Sequence, residues 1–224
     1  MNTLWENIIA FTPNLLRGTL VTIELTVISL VLSLIIGLAI ALGRLSDKKI
    51  INKLCNIYIS VIRGTPLLVQ MMYVYFVFPQ FGLSLSAFQA AIIALSVNES
   101  AYMAETFRAG IKAVPKGQLE AAKAIGMDYS LSMRRIILPQ AISNVMPAIG
   151  NSAIILIKNS SLGAVITVSE VMQQGNLLAA STYQNLQIFT MVAIIYWVLH
   201  YPLAILVDYL EKRGAKNNVA ANQH

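Results

Sequence analysis

Charge placement constrains this chain more than any other feature of it. No Asp, Glu, Lys or Arg occurs between Glu24 and Arg44, between Arg63 and Glu99, between Arg135 and Lys158, or between Glu170 and Asp208. A bilayer core takes about 20 helical residues to cross. Inside it every backbone N–H and C=O must be paired within the protein, which favours helices. With 57% of 224 residues apolar and 12% charged, the chain reads as an all-α, multispanning membrane protein. The gap from Arg63 to Glu99 exceeds one span, and Pro79-Gln80-Phe81-Gly82 divides it in two. Five transmembrane helices are expected, near 20–42, 54–78, 87–107, 140–157 and 188–207, in one membrane domain over 1–215 with a short tail over 216–224. The N-terminal stretch has no basic region ahead of a small-residue cleavage site, so no removable leader is expected.

Basic residues orient the spans. Arg44, Lys48, Lys49 and Lys53 follow the first, Arg108, Lys112, Lys116, Lys123, Arg134 and Arg135 follow the third, and Lys212, Arg213 and Lys216 follow the last. Thirteen of the 16 Lys and Arg thus fall on one side, which the positive-inside rule makes cytoplasmic. The N-terminus is then outside, the C-terminus inside, and the protein sits in the cell membrane. The net charge of +6 follows from this bias, so it gives no argument for nucleic acid.

Several classes of chemistry are excluded. Cys55 is the single cysteine, so an intrachain disulfide is impossible and a thiolate metal cluster is not expected. His200 and His224 read as an interfacial and a tail residue rather than metal ligands. The chain has neither a G-x-x-x-x-G-K-[ST] phosphate loop nor a G-x-S-x-G nucleophile turn, so it is expected to be no enzyme and to hold no cofactor.

One hydrophilic island, 112–135, stands between apolar segments. Pro115 can open a helix, Gln118–Ile125 is rich in helix formers, Gly126 suits a left-handed C-terminus, and Asp128 or Ser130 can cap a second short helix. Within it Glu120-Ala121-Ala122, Gly126, Ile136 and Leu138-Pro139 fill the pattern EAA-x3-G-x9-I-x-LP. The pattern resembles the signature loop of binding-protein-dependent ABC importer permeases of the type I fold. Arg63-Gly64-Thr65-Pro66-Leu67-Leu68, Asn98, Ala101-Tyr102, Glu105, Gly117-Gln118, Leu138-Pro139-Gln140-Ala141 and Lys158-Asn159-Ser160-Ser161-Leu162 resemble its polar amino acid branch. The resemblance implies that the island is a coupling helix seated on an ATPase subunit, with Gln118, Glu120, Ala121 and Ala122 on the coupling segment and Gly126 allowing its turn. It also implies a dimer of permease subunits, homo- or heteromeric, two ATPase subunits that bind the ATP and Mg, and an extracytoplasmic substrate-binding protein.

Ionisable side chains inside a span cost at least about 2.5 kcal/mol and mark sites or buried partners. Glu24 near the outer end of its span and Arg63, whose stem can reach the interface, read as structural. Asn98 and Glu99 lie near the expected midplane, and Asn98, Tyr102 and Glu105 share a face at i, i+4 and i+7. Glu105 reads equally well as an ion-pair partner. Asn144, Asn151 and Lys158 form a second stripe near Pro147 and Gly150, which are expected to break the fourth span beside a cavity. The expected substrate set is Asn98, Glu99, Tyr102, Asn151, Lys158, Ser160 and Ser161. Lys158 would meet an α-carboxylate, Glu99 an ammonium or guanidinium, and Asn98, Ser160 and Ser161 would supply neutral hydrogen bonds. Lys158 and Glu99 could instead simply pair with each other.

Members of the resembled branch commonly carry a small residue where Glu99 stands. The departure favours a cationic amino acid such as arginine, lysine or histidine. The alternatives are a neutral polar amino acid such as glutamine or cystine, or an ATP-independent channel or secondary transporter.

Overall fold

A computed structural model describes the backbone of residues 2–221 and the side chains of residues 6–212. The end of the expected tail, with His224, lies outside the described residues. Among the described residues the regular structure is helical, joined by short turns. In order run α1 (Asn2–Arg44), α2 (Lys49–Gly64), α3 (Leu67–Met72), α4 (Ala87–Ala113), α5 (Lys116–Ala124), α6 (Tyr129–Ser132), α7 (Leu138–Ser160), α8 (Val171–Thr182) and α9 (Asn185–Ala221).

Three helical stretches are long and apolar enough to cross a membrane singly: 6–44, 129–166 and 185–212. A fourth, 49–64 with 67–81, qualifies only as a pair bent by 102°. The expected span 54–78 is therefore two helices meeting at an angle. The break lies at Thr65-Pro66, where Thr65 is extended (φ −119°, ψ 140°), as a residue before proline is driven to be. The expected span 87–107 falls in α4, whose middle carries Ser96, Asn98, Glu99 and Ser100. These polar groups are tolerable because α4 is enclosed by α1, α2, α3 and α7 rather than by lipid.

Enclosure depends on small residues. Along α1, Thr22, Thr26, Ser29, Ser33 and Ala41 are buried on one face, and α4 presents Ala94, Ala101 and Ala104. This is the small-residue packing that lets membrane helices approach closely. At Gly37 a methyl group would stand 2.6 Å from Met103 Cβ and 3.0 Å from the Ser100 carbonyl oxygen, so only hydrogen fits. The N-terminal part of α1, beyond the expected span, packs on α8 and α9 through Phe11, Leu15, Val171, Ala179, Ile188 and Val192. Glu170 starts α8 there: its carboxylate accepts from Met172 N, Gln173 N and the Tyr196 hydroxyl at 2.8, 2.7 and 2.6 Å.

Helix α7 runs unbroken through Pro147 and Gly150, contrary to the expected interruption. At Gly150 an added Cβ would meet Val207 Cγ2 of α9 at 2.7 Å, so this glycine serves packing rather than a break. The wider turns lie elsewhere. π turns over Tyr73–Val77 and Met133–Ile137 each end two residues before a proline, Pro79 and Pro139. A widened turn accommodates a ring that has no N–H to give. The segment after Asp128 is consequently continuous with α7 rather than a separate short helix.

Gly37→Leu should destabilise the detergent-purified protein by about 1–3 kcal/mol through overpacking against Met103. Gly117→Ala, with nothing within 4 Å of its added methyl, should not. Thermal unfolding midpoints check this, and equal midpoints for Gly37→Leu and the parent would contradict the close approach.

Candidate functional site

The bend after α2 follows from one missing donor. Ile62 O would normally accept from the N–H four residues on, but that residue is Pro66. Gln70 supplies the substitute: its Nε2 donates to Ile62 O at 2.8 Å, to Thr65 O at 3.1 Å and to Thr65 Oγ1 at 2.7 Å. Its Oε1 accepts from Asn98 Nδ2 at 3.0 Å. One side chain thus closes the break and ties it to the middle of α4.

Between this bend, α4 and α7 lies a cavity of ≈ 640 Å³. Asn98, Glu99, Tyr102 and Asn151 line it, so the structure brings four of the expected substrate residues together. Glu99 is 3% exposed, faces Ser152 of α7, and makes no ion pair among the described residues. Lys158, Ser160 and Ser161 do not line the cavity. Lys158 is exposed in the last turn of α7. Ser160 Oγ donates to Ile157 O and Ser161 Oγ to Lys158 O, at 2.7 and 2.6 Å.

Sequence reasoning set Arg63 aside as structural and passed over Gln70. The structure puts Arg63 on the cavity wall, with its guanidinium carbon 5.1 Å from the centre of the Tyr102 ring. The Arg63-Gly64-Thr65-Pro66 run held the signal, since a proline there frees a carbonyl and turns the preceding residues aside. Glu105 is an ion-pair partner. Its Oε1 binds Arg44, its Oε2 binds Arg108 at 2.8 Å, and Arg63 stands 3.9 Å from Oε1.

The hydrophilic island forms a second candidate surface. Helix α5 ends in a Schellman cap, with Met127 N donating to Ala122 O and Gly126 N to Lys123 O, both at 3.0 Å. Gly126 has φ +82°, the left-handed conformation that favours glycine, and Asp128 caps α6 by accepting from Leu131 N at 2.7 Å. Gln118, Glu120, Ala121 and Gly126 are exposed, whereas Ala122 is buried against the bundle. Leu119, Ile136 and Leu138 pack with Ile111, Val114 and Met133, so Leu119 seats α5 against the end of α4 and the turn that leads into α7. Ile125, 77% exposed, adds an apolar side chain to this surface that the sequence did not flag.

Residues 29–216 match the family model described as a binding-protein-dependent transport system inner membrane component. An arginine transport system permease protein of Bacillus subtilis (strain 168) is 39% identical over 207 residues, 92% of this chain and 94% of the relative. A probable glutamine ABC transporter permease protein of the same organism is 43% identical over 196 residues, 88% of this chain and 91% of the relative. A crystal structure of an amino acid ABC transporter with histidines superposes with a TM-score of 0.85 at 39% identity, covering 92% of this chain and 97% of that one.

Gln70→Leu should leave the Ile62 carbonyl without its substitute donor and cost about 1–2 kcal/mol. The thermal unfolding midpoint reads it, and a midpoint equal to the parent's would contradict the repair of the break by Gln70.

Proposed function

The chain belongs to the family of binding-protein-dependent transport system inner membrane components, and from that premise we propose that it forms the translocation pathway of an ATP-driven amino acid importer selective for a cationic substrate. The observation that carries the substrate class is Glu99, a buried carboxylate on the cavity wall with no ion-pair partner among the described residues. Such a group favours a cation that compensates its charge. The arginine relative agrees with this reading, while the glutamine relative makes a neutral polar substrate the alternative.

The partners follow from two surfaces. Asn144 and Asn151 are exposed along α7, and polar side chains at membrane depth call for a cavity or a neighbouring protein rather than lipid. A second permease subunit, identical or closely related, covers them and completes the pathway. The exposed face of α5, with Gln118, Glu120, Ala121 and Ile125, docks on an ATPase subunit, and two such subunits serve the dimer, binding the ATP and Mg themselves. An extracytoplasmic binding protein delivers the amino acid to the side opposite α5. The N-terminus is then outside and the C-terminus cytoplasmic.

Ligand competition on the purified permease–ATPase complex, without the binding protein, tests the substrate class. Arginine and lysine should outcompete glutamine in the parent, and Glu99→Gln should erase the preference by about tenfold or more. An unchanged competition profile in Glu99→Gln would overturn the role of Glu99. A parent that prefers glutamine would move the assignment to a neutral substrate.

A further inference from the structure

We propose that Arg63 is the residue that holds the α-carboxylate of the transported amino acid. The inference rests on the amino acid reading above and assigns the other end of the substrate in the same cavity.

Place in the fold comes first. Arg63 occupies the last turn of α2, just before the 102° bend, and lines the cavity together with Glu99. The missing N–H of Pro66 turns the chain here, so the geometry that aims this arginine is built into the backbone. An amino acid entering the cavity meets a guanidinium and a buried carboxylate on one wall system, a match for a substrate with an acid group and a cationic group.

Spare bonding capacity comes second. Glu105 is the nearby anion that could have consumed the charge of Arg63. Both of its oxygens are already engaged, Oε1 by Arg44 and Oε2 by Arg108, and Arg63 reaches only 3.9 Å from Oε1. Three guanidinium groups thus share one carboxylate, and the cluster retains positive charge that attracts an anion. An arginine carries five N–H donors in a planar fork suited to a carboxylate. Among the described residues none of those of Arg63 makes a hydrogen bond. The ring of Tyr102 lies against its guanidinium at 5.1 Å and steadies it, while the N–H groups at its edge stay available.

Among the described residues Arg63 is the cationic side chain that lines the cavity. Lys158, the cation that sequence spacing suggested for this role, is exposed and outside the lining, and the amide of Asn98 is already committed to Gln70. Arg63 therefore takes the acid end common to all amino acids, and Glu99 reads the side chain.

The test compares arginine with agmatine, its decarboxylated analogue, as ligands of the detergent-purified permease–ATPase complex without the binding protein. The parent complex should bind arginine more tightly than agmatine. Arg63→Gln should reduce that ratio by about tenfold or more, and Lys158→Gln should leave it unchanged. If Arg63→Gln fails to assemble, Arg63→Lys serves: it keeps the charge, loses the fork, and should lower the ratio in part. A ratio equal to the parent's in whichever Arg63 variant assembles, or a ratio lost in Lys158→Gln instead, overturns the proposal and leaves the importer reading intact. A parent complex that binds neither arginine nor glutamine removes the amino acid reading and this inference with it.

Discussion

Proline 66 has no N–H, and much of the site depends on that absence. In a membrane an unpaired carbonyl is costly, so a helix that loses its bond at Ile62 must bend and find another donor. Gln70 provides the donor and in the same stroke fixes Asn98 of α4. The bend carries Arg63 onto a cavity wall shared with Glu99 and Tyr102. A single backbone defect, repaired by one amide side chain, thereby links the helix break to the polar middle of the bundle.

Close packing is the second requirement. Helix α4 carries Ser96, Asn98, Glu99 and Ser100 where lipid would penalise them, and it is held inside by α1 at a distance set by Gly37, Ser33 and Ala41. Glu105 lies further along the same helix, toward the end where α5 is attached, and there meets Arg44 of α1, Arg63 of α2 and Arg108 of α4 itself. The polar cavity and the exposed face of α5 are thus linked by one helix, with Leu119 of α5 packed on the cluster of Ile111, Val114, Met133 and Ile137 at the end of α4 and the turn into α7.

Local signals were the legible ones. Three charge-free stretches overlap the helices long and apolar enough to cross a membrane singly, while the stretch from Arg63 to Glu99 holds a bent pair and the start of α4, which is not among them. Gly126 and Asp128 were readable as caps because their roles depend on neighbours a few residues away. The face shared by Asn98 and Tyr102 followed from helical spacing. What escaped were the features set by contacts distant in sequence. Arg63 resembled an interfacial arginine until the bend placed it on the cavity, and Gln70 had no reason to stand out without the orphaned Ile62 carbonyl. Pro147 and Gly150 suggested a broken helix, but Gly150 is small because Val207 of α9 packs there, a fact invisible along the chain. Lys158 shared a stripe with Asn151 by spacing alone, and the cavity ends before reaching it.

The central claim, an importer subunit driven by a separate ATPase through α5, is tested most directly by what accompanies the chain out of the membrane. Purification in mild detergent, with the partners identified and counted, should return one nucleotide-binding subunit per permease chain. That subunit should be lost in Gly126→Arg, which forces a bulky side chain into a left-handed position (φ +82°) beside the docking face. A chain that purifies alone and passes substrate without ATP would contradict the account.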